Sequence, residues 1–586
     1  MTILLLSVVA PIIVSPAVLL LSQKWRRILL QTYIVGLLFL AFYLLSGIEL
    51  GNYTLFADSA HHLKTNLTFF SFSEHSYSKI AAFGFLFVGA MGLLFGLDVS
   101  KPSEQALSLG AIAAAIGVCF ADNFLTFLFF WEILTLTTAA LVFLKRTPHA
   151  VRMAYRMLFF SLASGFSLLV GIILQYNAVG TFELMYPVAG LSFFILGIGI
   201  KTAFLPLYFW LPWGYAAASF PSSVLLAVLC TKVGVYAVAR ILPPSNFIVM
   251  MGACMAIFAV VMALLQNNLR RFLSYHIISQ VGYMVAAVGL GVSFSIDGGF
   301  LHLLNHMFYK ALLFMSVGAL IFTARTENFQ KLSSTENSIV EAGKRSPLWK
   351  ALPAAFVGAL VGSLAISGTP LFNGYVGKYL IKNAMSGVQP AEILLMITSV
   401  GTVLCFCKFI YFGFIKARAK IRKRLTSSMQ TAIVILSASC LITGIRPQLL
   451  ASILPYSSSL EVYTMEGIVM AMLILASGVV MFALLHRVLE KEIKLSFPAT
   501  IKSALNILPG IYSSLSNVTG AVSSRFHYLY FGCRQKLNTK VNKIKTSQFA
   551  YATSIDFDTL LLMGMLGIVL TLFFCLQFGL FRIIIS

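Results

Sequence analysis

The sequence predicts an all-α polytopic membrane protein of about 16 transmembrane helices, built around two inverted five-helix repeats that each contain a broken helix. Three observations carry this. Hydrophobic residues make up 59% of the 586 positions and charged residues only 10%, where a soluble domain is roughly a quarter charged. Apolar runs recur at the length a bilayer demands, about 20 residues per helix. The basic residues gather in alternate loops, which is the positive-inside pattern of a multi-pass chain.

In order, the runs fall at 2–22, 27–47, 79–98, 106–121, 122–144, 153–175, 189–209, 221–242, 246–266, 271–292, 297–323, 349–385 (interrupted), 391–415, 427–448, 464–487 and 557–582. The first is read as retained, not as a signal peptide, because Lys24-Trp25-Arg26-Arg27 follows it in place of a small-residue cleavage site. With the N-terminus on the outer side, the inner face receives Lys24 to Arg27, Lys101, Lys145 to Arg156, Arg270 and Arg271, Arg325 to Lys350, Lys416 to Arg424, and Arg487 to Lys545. The outer face keeps Lys64, Lys79, Arg240, Lys382, Arg446 and Arg582. The net charge of +23, from 42 Lys and Arg against 19 Asp and Glu, is therefore an orientation signal facing the lipid bilayer. It does not indicate nucleic acid as a partner.

The chain divides into N-terminal helices over 1–100, a first repeat over 101–245, a second over 246–420, and C-terminal helices over 421–586. The last block contains a basic segment, 488–550, that is either a lateral amphipathic helix or a surface stretch on anionic lipid. The 8 cysteines form no CxxC, haem or iron–sulfur spacing. Nucleotide-binding glycine loops, nucleophile elbows and zinc-protease helices are missing as well. No cofactor or metal is expected in this chain.

Function is sought in the charges that stay inside the spans: Glu132, Lys201, Lys232, Lys310, Lys378 and Lys408, with His276, His302 and His306. A central Lys or Glu facing lipid costs about 2.5–3.5 kcal/mol, so these groups must face one another, polar side chains or water. Lys232 stands two turns before Arg240 and is either a relay or a structural lysine. His276, beside Ser274, Tyr275 and Ser279, is either a packing residue or a proton carrier. Lys408 lies two turns from Lys416 and either takes part in the relay or snorkels to the basic interface. His302, His306 and Lys310 recur every four residues and form one polar stripe on an apolar helix. Histidine titrates near neutrality, so the stripe can pass a proton along its length; its alternative is a hydrogen-bonded seam between helices.

Two spans carry helix breakers beside a buried lysine. One runs from Lys201 through Pro206 to Pro212, the other from Ser367 and Gly368 through Pro370 and Gly374 to Lys378. Interrupted helices at membrane depth mark ion sites in transporters. Pro206-Leu-Tyr-Phe resembles Pro370-Leu-Phe-Asn, and Val228-Leu-Cys-Thr-Lys232 resembles Val403-Leu-Cys-Phe-Cys-Lys408, a displacement of roughly 165–175 positions. Units of five spans, an odd number, insert upside down relative to one another.

The ordered set Phe130-Trp131-Glu132, Gly199-Ile-Lys201 with Pro206, Trp210 and Pro212, Lys232-Val-Gly-Val-Tyr236, Asn268-Leu-Arg-Arg with His276 and Gln280, His302 with Asn305, His306 and Lys310, and Pro370 with Gly374 and Lys378 resembles the antiporter-like proton-translocating membrane subunits. That family comprises large membrane-arm subunits of respiratory complex I, membrane subunits of group 4 hydrogenases and formate hydrogenlyase, and subunits A and D of Mrp Na+/H+ antiporters. The resemblance covers about residues 100–415 and makes the two repeats antiporter-like. It implies a proton relay in which Glu132 and Lys201 form the uptake ion pair, Lys232 is central, the α-helical stripe bridges two half-channels, and Lys378 is terminal. It also implies charge switching, in which Lys201 gives up its proton when a neighbouring subunit draws Glu132 away. Implied partners are other membrane subunits of a multisubunit complex, with H+ or Na+ as the ion, in a prokaryotic cell (inner) membrane. Lys378, His276 and Lys408 look most like hydrogenase members. The alternatives are an Mrp-type antiporter subunit, the membrane subunit of an inorganic-carbon uptake complex, and a scaffold whose buried charges only hold a complex together.

Overall fold

In hydrocarbon an unpartnered backbone N–H or C=O is costly, so each apolar run closes its own hydrogen bonds as a helix. The structure, a computed structural model, describes residues 2–46, 53–57, 68–75, 77–333, 346–419, 423–456 and 461–490. The expected span at 557–582 and the part of 488–550 beyond residue 490 lie outside the described residues.

The chain begins with α1 (Thr2–Leu20), α2 (Gln23–Leu44), an antiparallel hairpin of β1 (Tyr53–Ala57) and β2 (Thr68–Phe72), and α3 (Ser78–Gly96). Next come α4 (Pro102–Phe120), α5 (Phe124–Phe143), α6 (Pro148–Val179), α7 (Leu191–Thr202), α8 (Trp210–Ala217) and α9 (Phe220–Ile241). They are followed by α10 (Asn246–Leu264), α11 (Leu269–Leu290), α12 (Ser293–Ala324), the short α13 (Phe329–Ser333) and α14 (Leu348–Ala351), then α15 (Pro353–Ser367), α16 (Asn373–Ala384) and α17 (Ala391–Ile410). A π-helical turn over Tyr411–Ile415, α18 (Ser427–Ile445), the short α19 (Gln448–Ala451) and α20 (Met465–Leu489) complete the series. Among the described residues, 12 helices are long and apolar enough to cross a membrane, and α7 and α15 are shorter apolar helices. The protein is thus a mostly helical, multi-pass membrane protein. Two small antiparallel strand pairs depart from the all-α expectation: the β1–β2 hairpin, and β3 (Ser346–Pro347) paired with β4 (Arg418–Ala419).

Polar residues at the run boundaries supply the caps. The Asn123 side chain accepts from Thr126 N at 2.7 Å to start α5, and Asn268 accepts from Arg270 N and Arg271 N, both at 3.0 Å, to start α11. Each satisfies a first-turn N–H that has no partner inside its helix.

Both predicted breaks are present, with one correction. The run 189–209 holds only α7, which ends at Thr202; Ala203 takes φ +65°, the chain turns through Pro206, and α8 starts at Trp210, beyond the expected run. Trp210 Nε1 spans the break, donating to Ile200 O at 2.9 Å. Pro212 is not part of the break. It sits in the first turn of α8, where its missing N–H removes no helical hydrogen bond. In the run 349–385, α15 ends at Gly368, Pro370 and Leu371 (φ +70°) form the turn, and α16 starts at Asn373. Gly374 lets the two pieces approach, since a Cβ there would lie 1.8 Å from Ala365 O. Each break therefore holds one non-glycine residue in the left-handed region, a strain of order 1–3 kcal/mol that the surrounding packing must sustain.

Helices α3, α4, α9, α11 and α12 are the most enclosed. α12 packs against α3, α9, α11, α15, α16 and α18, so side chains at its centre meet both halves of the bundle.

Candidate functional site

The site is built outward from α12. His302, His306 and Lys310 are completely buried on it, one turn apart. His302 Nε2 lies 3.1 Å from Gln280 Oε1 on α11, and Lys310 Nζ donates to Leu273 O of the same helix at 3.1 Å. Among the described residues neither ring nitrogen of His306 has a partner, and the same holds for His276 on α11, whose ring packs against Phe272 and Phe406. The helices that carry Lys232 and Lys378, α9 and α16, both pack against α12. Asn305, also on α12, donates to Asn373 O at 2.9 Å and ties the stripe to the second break.

Lys201 occupies the last turn of α7. Its ammonium donates to Trp131 O at 3.1 Å and Thr135 Oγ1 at 2.7 Å and lies 4.5 Å from the Trp131 ring centroid. The expected direct ion pair with Glu132 does not form, and no carboxylate lies within 4.0 Å of Lys201 among the described residues. The reason is helical geometry. Successive residues point about 100° apart, so Thr135, whose hydroxyl also reaches Trp131 O, meets Lys201 while Glu132 lies against α6. There Glu132 Oε1 is buried without a hydrogen bond, against Gly165. Trp131 is fixed in turn, its Nε1 donating to Ser164 Oγ at 3.1 Å and Ser164 Oγ to Gly197 O at 2.6 Å.

The other lysines follow one rule. Lys232 Nζ donates to Ala227 O within α9, and Lys378 Nζ donates to Ile366 O at 2.6 Å, in the last turn of α15. Lys408 Nζ donates to Leu264 O at 2.7 Å and Gln266 O at 3.1 Å, where α10 ends. Lys408 is 3% exposed, and the carbonyls its amine meets lie in the turn that leads from α10 to Arg270. Lys378 and Lys408 thus meet carbonyls at helix C-termini, which carry partial negative charge and lack helical partners, whereas Ala227 O, Leu273 O and Trp131 O lie inside their helices. All five buried lysines therefore rest on main-chain carbonyls, and among the described residues none is ion-paired.

Thr135, Ser164 and Gly165 were not singled out from the sequence, and Gln280 and Asn373 stood inside motifs without a role of their own. Hydroxyl and amide residues are common inside helices. Among the described residues no group of three or more His, Cys, Asp or Glu could hold a metal ion.

Residues 121–405 match the family described as NADH:quinone oxidoreductase/Mrp antiporter, TM. The chain is 25% identical over 451 residues to hydrogenase-4 component B of Escherichia coli (strain K12), covering 68% of this chain and 64% of the relative. It is 27% identical over 414 residues to Na(+)/H(+) antiporter subunit A1 of Staphylococcus epidermidis, covering 61% of this chain and 50% of the relative. The chain thus spans between half and two thirds of these two proteins. Its fold is similar to that of a chain in the Mrp complex from Dietzia sp. DQ12-45-1b, with a TM-score of 0.70 at 18% identity over 96% of this chain and 66% of that one.

Proposed function

Residues 121–405 belong to the NADH:quinone oxidoreductase/Mrp antiporter transmembrane family, and from that premise we propose that the chain is a proton-translocating subunit of a multisubunit complex in a prokaryotic cell membrane. The relay is Glu132, Lys201, Lys232, His306 with Lys310 and His302, and Lys378, with Lys408 and His276 beside it. One observation carries the reading: every buried lysine is held by carbonyls and not by a carboxylate. A carbonyl accepts a hydrogen bond from –NH3+ and from –NH2 alike, so the amine keeps its position in both protonation states. A salt bridge would have to break before the proton could leave. Orphaned polar atoms at Glu132, His276, Gln280, His302, His306, Tyr309 and Asn373 favour a hydrated path between the lysines.

The two-repeat organisation is part of the proposal. The block 101–245 contains α4, α5, α6, the α7–α8 pair and α9, while 246–420 contains α10, α11, α12, the α15–α16 pair and α17. Counting each pair as one span, both blocks have five spans with the fourth broken. Both breaks hold a non-glycine residue at positive φ, and both fifth spans carry a buried lysine, Lys232 and Lys408.

The test is proton uptake into proteoliposomes containing the whole complex, comparing Lys310→Arg and Lys201→Ala with the parent. Arginine keeps the charge but does not release a proton. A relay therefore predicts loss of uptake in both variants with the complex still assembled. Normal uptake in Lys310→Arg would assign the lysines to a scaffold. Na+-dependent proton exchange in the same vesicles distinguishes antiport from proton pumping, and the proteins that co-purify in mild detergent identify the complex.

A further inference from the structure

The face opposite the lysine- and arginine-rich loops carries a second titratable cluster that the relay does not use. Its frame is backbone. Ser73 N donates to Phe120 O at 2.9 Å and Asp122 N to Ser71 O at 2.9 Å, which ties the end of β2 to the α4–α5 turn. On this frame Asp122 accepts from Ser71 Oγ at 2.9 Å and from Ser73 Oγ at 2.5 Å, and its Oδ1 lies 3.6 Å from His75 Nε2. Ser73 Oγ is also 2.8 Å from His75 Nε2. From α9, Arg240 Nη2 lies 3.1 Å from His75 Nδ1 and 3.0 Å from Nε2, while Arg240 Nε is buried without a partner.

Arg240 follows Lys232 and Tyr236 at intervals of four. The three share one face of α9, with Arg240 about 12 Å further along the axis than Lys232. Tyr236 lies between them, its hydroxyl donating to Cys119 O at 2.6 Å.

Arginine N–H groups only donate, so the His75 nitrogen that receives one must be bare and the ring neutral. A protonated imidazole has no bare nitrogen. It repels Arg240 and is attracted to Asp122, so the two partners favour opposite states of one ring. Burial and then Arg240 hold His75 below the ordinary histidine range, against the opposite pull of Asp122, the Ala121 backbone and Glu74. Glu74 is itself paired with Lys79 at 2.5 Å. Side-chain exposures of 21% for His75 and 39% for Asp122 leave both open to bulk protons.

We propose that His75, Asp122 and Arg240 form a proton-exchange site at this mouth of the chain, connected to Lys232 along the α9 face. The bare nitrogen of His75 takes a proton, Arg240 withdraws, and Asp122 receives the imidazolium; loss of the proton reverses each movement. This rests on the proposed relay for its connection to transport, but the acid–base behaviour of His75 can be measured without it.

The experiment uses the complete complex in proteoliposomes. Diethyl pyrocarbonate acylates only unprotonated imidazole, and mass spectrometry reads its reaction with His75 as a function of pH. Removing a neighbouring charge at this distance moves such a midpoint by about one pH unit or more. Arg240→Ala should raise the midpoint and Asp122→Asn should lower it. Unchanged midpoints in both variants would overturn the exchange site. In a second arm, His75→Gln should abolish the dependence of transport on the pH of this face between about pH 5 and 7, leaving the dependence on the other face intact. A parental pH profile in His75→Gln would disconnect the site from transport. A parent complex that moves no protons would overturn the relay, while the acylation midpoints still decide the site.

Discussion

Gly165 of α6 makes room for Glu132 of α5: the Cβ that Gly165 lacks would lie 1.6 Å from Glu132 Oε1. Glu132 Oε1 occupies the volume of a missing methyl group and has no hydrogen-bond partner among the described residues. Its position is set by the shape of the neighbouring helix.

Gly165→Ala therefore acts on Glu132. Alanine is the better helix former by about 1 kcal/mol, so the effect expected is displacement of the carboxylate and not loss of α6. Misplacing a reacting group by about 1 Å can cost on the order of 100-fold in rate, and proton uptake should fall by between 10- and 100-fold with assembly unchanged. Parental uptake in Gly165→Ala would mean that the position of Glu132 is immaterial.

The bundle was largely legible in the sequence because hydrocarbon enforces it. Apolar runs must be helices, and Pro206, Gly368 and Pro370 announced both breaks. Pro212 misled, since proline in a first turn and proline in a break look alike without knowing where the helix starts. Spacing placed His302, His306 and Lys310 on one face of α12, which is a property of one helix. The partner of each lysine is a property of two. Nothing in the local sequence says that Lys201 meets Trp131 O and Thr135, or that Lys408 meets Leu264 O, because every residue has a carbonyl. The family resemblance suggested a Glu132–Lys201 ion pair, and in its place Lys201 meets the Thr135 hydroxyl and the Trp131 carbonyl.

Thr135 supplies Lys201 with its shortest hydrogen bond, 2.7 Å. A hydrogen bond to a charged group is worth about 1.5–3 kcal/mol, or roughly 10- to 100-fold in rate if it is used in the transfer step. Thr135→Val keeps the shape and loses the hydroxyl, and should slow proton uptake accordingly. Thr135→Ser should restore it. Equal rates in the valine and serine variants would show that the bond positions nothing.

Lys408 closes the C-terminal end of α10 through Leu264 O and Gln266 O. Two roles separate by substitution. Lys408→Arg keeps a charged donor for the carbonyls and should retain thermal stability within about 1 kcal/mol, while Lys408→Ala should lose about 1–3 kcal/mol. Both should abolish transport if Lys408 belongs to the relay. Near-parental uptake in the arginine variant would restrict Lys408 to capping.

On the inner face Arg270 pairs with Glu327, and its Nη1 also donates to Ala218 O at 2.7 Å and Ser223 Oγ at 3.0 Å, the turn between α8 and α9. This pair holds the lower half of the first broken helix to α11. Burial pushes the Glu327 carboxyl up, but the charge and hydrogen bonds of Arg270, with Asn268 and Lys145, outweigh it and hold the group below the usual carboxylate range. A depressed native value means that the unfolded chain binds the proton more readily. The stabilisation is complete above the unfolded value, about 4.3, and is lost as pH falls through the native one. The complex should therefore lose thermal stability progressively below about pH 4.3, and Glu327→Gln should lower stability at pH 7 and flatten that acid limb. Thermal unfolding of both forms between pH 3 and 7 measures it. An acid limb equally steep in Glu327→Gln would place the titrating group elsewhere and leave the Arg270 clasp without an electrostatic contribution.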